Sequence, residues 1–232
     1  MMSRIPISLV AFLGLTTLCP STSVRGQEIP SPYQFVETRQ EAGPFLAYLS
    51  QGTGRFGYGP KPGIALGGRY GLQLGGPIGV EAVLTYLPTT RDLIDPGRVP
   101  GDRVVGNVSA HVVAADARLR LSLTGDRTWK GLNPSVFAGG GMAFDLAGVS
   151  SDEEILLPDD RFEFNTSFEG VLGAGVRWFA TEGILLRGDF ALYLWQLESP
   201  EGFKDPERGF VGVAEKEWVS GPSFSLGIAF HF

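Results

Sequence analysis

The last eleven residues of the chain alternate strictly between large apolar and small or polar side chains. The apolar set is Phe224, Leu226, Ile228, Phe230 and Phe232. This is the period of a β-strand with one apolar face. An exposed strand of this kind promotes aggregation in water. It is stable where the apolar face meets lipid and the sheet closes on itself. The stretch therefore predicts a transmembrane β-barrel.

The first 26 residues have the pattern of a secretory signal peptide. Arg4 provides the positive charge, residues 5–18 are mostly apolar, and small residues at Val24 and Gly26 suit a cleavage site. Cys19 is the single cysteine, and the bulky Leu18 before it disfavours lipidation. Cleavage after Gly26 would leave a chain without cysteine, which excludes disulfides and thiolate metal sites.

The composition excludes several other classes. The chain is acidic, with a formal net charge of −6, and has no basic cluster, which argues against nucleic-acid binding. After residue 26 the chain contains no run of 18 apolar residues, so the sequence predicts no transmembrane helix. Glycine is abundant, at 33 residues, while the hydrophobic content of 43% argues against disorder. Glycine-rich strands are the remaining interpretation.

Eight strands are predicted, with connections that alternate in length. Residues 27–43 are expected to form a periplasmic lead-in and residues 44–232 the barrel. The predicted strands are 44–51, 62–73, 77–88, 104–124, 132–147, 162–180, 183–198 and 216–232. Short turns at one end and long loops at the other are typical of outer-membrane barrels, with the turns periplasmic and the loops outside. Both termini then lie on the periplasmic side.

On each predicted strand the charged residues share one face. This set is Arg69, Glu81, Asp116, Arg118, Arg120, Asp145, Glu169, Arg177, Arg187 and Asp189. Equal numbers of arginines and carboxylates suit a narrow lumen in which buried charges pair. The alternative is a soluble barrel or sandwich with the charged face outward. Gly, Ala and Ser between the charges, and aromatic residues near the ends of the apolar face, favour lipid outside.

This pattern resembles the small outer-membrane barrels of diderm bacteria, the OmpA-like and OmpX-like group. The resemblance covers residues 44–232 and includes the C-terminal Phe-x-Leu-x-Ile-x-Phe-x-Phe. It implies a bacterial outer-membrane location, contacts with membrane lipid and lipopolysaccharide, and insertion by the barrel assembly machinery, which reads that C-terminal signal. Because a closed barrel does not require partner chains, we expect a monomer, and we expect no cofactor. Because the chain stops at Phe232, we expect no peptidoglycan-binding domain after the barrel.

Members of this group include structural proteins, pores, adhesins and lipid-A-modifying enzymes, so the fold does not choose among them. We expect a non-enzymatic structural role, or surface interaction through the four loops. The alternatives are a channel for small solutes or hydrophobic compounds and a lipid-A-modifying hydrolase.

Two groups of residues are candidates for a functional site, one catalytic and one cation-binding. Ser109 and His111 lie two apart on the predicted apolar face, as in some barrel deacylases, but their order is reversed and no carboxylate is plainly beside them. An interfacial histidine is the simpler interpretation.

Five carboxylates in the third loop could bind a cation, although their spacing fits no ordered calcium loop. These are Asp152, Glu153, Glu154, Asp159 and Asp160. A solvated acidic loop is the simpler interpretation here.

Overall fold

A computed structural model describes residues 31–35, 38–148 and 150–232. The predicted signal peptide, residues 1–26, lies outside the described residues. The strands are β1 (Tyr33–Phe35), β2 (Gln40–Leu49), β3 (Gly63–Gly75), β4 (Ile78–Ile94), β5 (Val104–Ser122), β6 (Arg127–Trp129), β7 (Leu132–Asp145), β8 (Ser167–Phe179), β9 (Ile184–Glu198) and β10 (Lys216–His231). Four short 3₁₀ helices, Ser151–Ile155, Pro158–Asp160, Glu201–Phe203 and Pro206–Arg208, lie in the loops.

The eight long strands form one closed antiparallel sheet. Each pairs with the next along the chain, β7 pairs with β8, and β10 pairs back onto β2. The predicted eight-stranded up-and-down barrel is confirmed. The short strands β1 and β6 pair with each other beside β7 and are not among the eight strands of the closed sheet. In the described part of the chain, no helix is both long and apolar enough to cross a membrane.

The connections give the barrel two unlike ends. At the turn end, β3 and β4 are joined by residues 76–77 and β8 and β9 by residues 180–183. At the loop end lie loop 1 (50–62), loop 2 (95–103), loop 3 (146–166) and loop 4 (199–215). The predicted alternation of short turns and long loops is therefore present.

The strands turn their apolar side chains outward and their charged side chains inward. Leu46, Ile64 and Leu172 on the outer face are 62%, 68% and 58% exposed, whereas Arg120 and Glu169 on the inner face are 1% and 0% exposed. In water this arrangement would expose apolar surface and bury charge, both of which are unfavourable. Against lipid, the same outer face is favourable. The soluble inside-out alternative is not what the structure shows.

Several strand bounds differ from the prediction. β2 begins at Gln40 rather than at residue 44, so part of the predicted lead-in belongs to the barrel wall. Its pairing with β10 runs from Leu49 to Phe45, is interrupted around Pro44, which has no N–H to donate, and resumes at Ala42. Within the predicted 88–103 loop, β4 continues to Ile94, and β8 begins at Ser167 rather than at residue 162.

Candidate functional site

Two carboxylates and two arginines form the centre of a charged cluster in the lumen. Arg120 Nη1 donates to Glu41 Oε1 at 2.6 Å and to Glu81 Oε1 at 2.7 Å. Arg187 binds Glu81 through both terminal nitrogens, at 2.5 and 3.1 Å, and also reaches Glu41 Oε1 at 3.1 Å. This forked geometry is specific to arginine and is stronger than a single hydrogen bond.

Three further residues extend the cluster around the barrel. Asp189 accepts from Arg187 Nε at 2.9 Å and lies 2.7 Å from Arg69 Nη2. Arg177 Nη1 donates to Glu41 Oε2 at 2.8 Å. We call this connected set the charge network. It consists of Arg69, Arg120, Arg177, Arg187, Glu41, Glu81 and Asp189, so it contains four arginines and three carboxylates.

A separate ion pair lies on the loop side of the charge network. Arg118 donates through Nε and Nη2 to both oxygens of Asp116, and through Nη2 to the Tyr193 hydroxyl at 2.8 Å. The neighbouring strand supplies the space. A Cβ on Gly139 or Gly141 would collide with the backbone of β5 beside Asp116 and Arg118. These glycines of β7 therefore allow close approach of two strands.

Glu169 is a buried, inward-facing carboxylate that forms no ion pair among the described residues. It is fully buried, and neither of its oxygens has a hydrogen-bond partner among the described residues. Gly141 lies between it and Asp116 in the strand register. An unpartnered buried carboxylate is rare, and it sets Glu169 apart from the charge network on the turn side.

The predicted set of lumen charges needs one correction and one addition. Asp145 does not join any ion pair of the described residues. It lies where β7 ends, and its Oδ1 accepts from the backbone N–H groups of His111 and Ala147. The missed member is Glu41, which contacts three arginines. The other predicted residues lie inside the barrel.

The loop end is closed by a cluster of aromatic side chains that the sequence did not predict. We call it the aromatic cap, and it consists of Phe56, Tyr58, Phe162, Phe164, Phe203 and Phe210. Tyr58 stacks on Phe162 with ring centroids 4.6 Å apart, and Phe56 lies 5.0 Å from Phe203. Below the cap, Phe164 packs edge-on against Trp195 of β9 at 5.8 Å. Loops 1, 3 and 4 thus share one hydrophobic core.

Polar contacts tie the same loops together. The Tyr58 hydroxyl of loop 1 hydrogen-bonds with Ser199 of loop 4 at 3.2 Å, and burial raises the pKa of this phenol. Arg103, at the end of loop 2, stacks on Phe210 of loop 4, 4.7 Å from the ring centroid. The four loops therefore form one packed unit over the lumen.

The sequence predicted a solvated acidic loop 3. In the structure, the acidic residues of loop 3 are not all solvated. Glu153 is buried and pairs with Arg91 of β4 at 2.7 Å, and Asp160 is buried and pairs with Arg208 of loop 4 at 2.5 Å. Asp152, Glu154 and Asp159 are exposed. Within residues 31–35, 38–148 and 150–232, no three metal-ligating side chains are grouped as a metal site would require.

Ser109 and His111 share the outer face of β5, as predicted, but do not assemble with a carboxylate. His111 Nδ1 hydrogen-bonds with the Tyr86 hydroxyl at 2.8 Å, and the two rings are parallel. Asp145 accepts from the His111 backbone N–H, not from its ring. A catalytic triad needs the carboxylate on the ring, so these residues have the geometry of an interfacial Tyr–His pair.

The C-terminal strand has the predicted faces. Phe224, Leu226, Ile228, Phe230 and Phe232 are all exposed on the outer surface of the barrel. His231 points the other way, with its Nδ1 3.1 Å from the Thr38 hydroxyl and its ring packed edge-on against Phe179. These contacts give His231 a structural role at the turn end.

The closed sheet, its apolar exterior and its charged lumen together define a transmembrane β-barrel. No family model and no curated protein matches the chain. Similar solved structures are small outer-membrane barrels, the class that the sequence resembles.

Three of these structures illustrate the similarity. OmpW of E. coli is 14% identical, with 84% of this chain and 98% of that one covered and a TM-score of 0.49. Neisserial surface protein A is 13% identical, with 87% and 98% covered and a TM-score of 0.47. The barrel domain of Pseudomonas aeruginosa OprF is 14% identical, with 84% and 100% covered and a TM-score of 0.43. At these scores the similarity determines neither the fold nor the function of this chain.

Proposed function

We propose that this protein is a closed barrel of the bacterial outer membrane, with its turns in the periplasm and its loops at the cell surface. In this role it anchors the packed loop unit in the membrane and presents it for surface interaction. Membrane lipid and lipopolysaccharide would contact the apolar outer face. The barrel assembly machinery would insert the chain after export, using the exposed apolar face of β10.

The observation that carries this proposal is the filled interior. The aromatic cap occupies the loop end, and the Arg118–Asp116 pair and the charge network follow toward the turns. An eight-stranded barrel is just wide enough for its own side chains. Side chains held at several heights leave little room for a solute to pass, which favours an anchor over the channel alternative.

The packed loops support the surface role. Loops without shared contacts would move independently, whereas these loops share an aromatic core, and the Arg208–Asp160 ion pair joins loop 4 to loop 3. The buried Arg91–Glu153 ion pair fastens loop 3 to β4. A rigid surface loses less conformational entropy when it binds a partner. The exposed carboxylates of loop 3, among them Asp152 and Glu154, would favour a partner of positive charge.

Location and closure can be tested on the full chain. We expect it in the outer-membrane fraction, with an electrophoretic shift between unheated and boiled samples, and without channel steps in planar bilayers. Recovery as a soluble periplasmic protein would overturn the location. Sustained single-channel steps of the purified, folded barrel would favour the channel alternative.

The packing of the loops has its own test. Phe203 is fully buried in the aromatic cap, and Phe→Ala changes in cores cost about 3–5 kcal/mol. Phe203→Ala should therefore loosen loop 4 and speed trypsin cleavage after Lys204 in intact cells. Phe190→Ala, on the exposed outer face of β9, is the matched control and should leave cleavage unchanged. Equal cleavage in both variants would contradict the packed loop unit.

A further inference from the structure

The short strands β1 and β6 form a two-stranded ribbon at the turn end of the barrel. Tyr33 pairs with Trp129 in the strand register, and Phe35 pairs with Arg127. Residues directly opposite in an antiparallel pair share a face, so these four side chains lie on one side of the ribbon, which we call the ribbon face. Its three aromatic residues are each at least 44% exposed, although Phe35 also borders the cavity at the turn end. A contiguous exposed apolar face is typical of an interaction surface.

The ribbon face continues the apolar outer surface of the barrel. Trp129 pairs with Leu132 across the turn between β6 and β7, and Leu132 pairs with Trp178 of β8. Trp178 in turn pairs with Leu186 of β9, and both are exposed on the outer face of the wall. Thr128, whose side chain lies on the other side of the ribbon, is buried and lines the turn-end cavity. One row of apolar side chains therefore runs from the lipid-facing wall onto the ribbon.

Two cations border the ribbon face. The Arg127 guanidinium lies 4.6 Å from the centroid of the Phe35 ring, and Lys130 Nζ lies 5.4 Å from that of Trp129. Both cationic side chains are exposed. Aromatic rings with Lys or Arg beside them are typical of the membrane interface, because the ring packs against acyl chains while the charge reaches the headgroups.

The acidic side chains in the turns of this end do not pair with the two cations. In the described part of the chain, no ion pair contains Arg127, Lys130 or Glu182. Asp126 lines the turn-end cavity together with Arg39, and neither Arg127 nor Lys130 borders that cavity. The two cations are therefore available to an anionic group outside the barrel.

Lys130 has an unusual backbone conformation for its residue type. It forms the turn between β6 and β7 with Gly131, and the φ values of the two residues are 51° and 81°. A two-residue hairpin turn with positive φ at both positions favours Asn and Gly. Among the residues that the structure describes, Lys130 is the one non-glycine residue with positive φ. A residue that does not suit its turn indicates a role for its side chain.

We propose that the ribbon face lies in the interfacial region of the membrane, where Arg127 and Lys130 bind the phosphate groups of anionic phospholipids. This inference rests on the membrane location proposed above, but not on the role of the loops, which lie at the other end. Phosphatidylglycerol and phosphatidylcholine with the same acyl chains are suitable probes. The first has an uncompensated phosphate charge, whereas the second carries an ammonium group as well.

Tryptophan quenching by brominated lipid tests whether the ribbon face contacts the membrane. Trp129 and Trp178 are the two reporters, each kept in a folded barrel in which the other and Trp218 are replaced by Phe. Trp195 is buried and gives the same background in both. Bromine near the headgroup should quench Trp129 more than bromine near the chain end, and the reverse order would overturn the proposal. Quenching of Trp178 without Trp129 would overturn it and leave the membrane location intact, whereas quenching of neither would overturn the location itself.

Lipid selectivity tests the role of the two cations. In phosphatidylcholine vesicles, a small fraction of brominated phosphatidylglycerol should associate with Trp129 about threefold or more strongly than the same fraction of brominated phosphatidylcholine. High salt should remove this preference, because it screens exposed charges. Equal association of the two lipids at low salt would overturn the binding of anionic phospholipid.

Variants assign the preference to individual residues. Lys130→Asn suits the turn but removes the charge, so it should lower the preference about twofold or more while the heat-dependent gel shift persists. Arg127→Gln should do the same, and Lys130→Arg should retain the preference. The matched control is Arg55→Gln, since the Arg55 guanidinium lies 5.3 Å from the Phe56 ring centroid at the loop end. A preference unchanged in Lys130→Asn or Arg127→Gln, or lowered equally by the control, would overturn the proposal.

Discussion

Glu41 is the residue whose replacement tests the charge network most directly. Its two oxygens accept from Arg120, Arg177 and Arg187 at 2.6, 2.8 and 3.1 Å. Glu41→Gln keeps the size of the side chain and one acceptor oxygen, but removes the negative charge. The network would then hold four arginines and two carboxylates. The predicted result is a large loss of stability with little change in packing.

The size of this loss follows from the burial of the partners. The side chains of Glu41, Arg120, Arg177 and Arg187 are each at most 5% exposed, so solvent does not screen the uncompensated charge. Removing one partner of such a buried pair costs about 3–5 kcal/mol. Since each 1.36 kcal/mol is a factor of ten, the unfolding equilibrium should shift by roughly 10²- to 10⁴-fold.

Equilibrium urea unfolding from phosphocholine vesicles, followed by tryptophan fluorescence, measures this change. The control is Asp102→Asn, which removes the same charge from a pair with Arg98 at 3.7 Å in exposed loop 2. That variant should lose less than about 1 kcal/mol. Glu41→Gln combined with Arg177→Met restores the original charge excess, so the double variant should be more stable than Glu41→Gln alone. A loss for Glu41→Gln no larger than that of Asp102→Asn would refute the buried position of Glu41.

Two further changes test other parts of the interior. Arg118→Met leaves Asp116 buried without its counterion and should lower the unfolding free energy by about 3–5 kcal/mol, whereas Arg98→Met, in an exposed ion pair, should cost less than about 1 kcal/mol in the same assay. Glu153→Gln removes the counterion of Arg91 and loosens loop 3, so limited proteolysis of that loop should become faster while the heat-dependent gel shift of the barrel persists; unchanged proteolysis would contradict the buried ion pair.

Alternation predicted most of the barrel because a wall one residue thick imposes a period of two on every strand. It was uninformative in the second half of β2, where Phe45 and Leu49 face the lumen while Leu46 and Tyr48 face outward. Both faces are apolar there, so no pattern separates them. Glu41 was missed because the predicted strand began at residue 44, whereas β2 begins at Gln40. Extending the odd-numbered face across Pro44 would have placed it among the lumen charges.

The loop end was less predictable because its contacts join residues that are distant in the sequence. Loop 3 contains five carboxylates, but which of them are buried depends on Arg91 and Arg208 in other segments. The aromatic residues of the loops were a usable signal. Water-exposed loops rarely contain large aromatic residues such as Phe203 and Phe210 unless these side chains pack into a hydrophobic core.

The charged lumen explains why each strand keeps its register. With an apolar exterior, an equally apolar interior would let a strand shift by one residue at small cost, because the two faces would be alike. Here, a shift of β9 by one residue would make the side chains of Arg187 and Asp189 face the lipid. An arginine facing lipid at mid-membrane costs about 2–4 kcal/mol, and its buried partners would lose their counterion as well. Compared with an apolar core, the ion pairs therefore contribute little net stability. They do raise the free energy of every wrong register, and a correct register is the stronger requirement in a sheet that must close on itself.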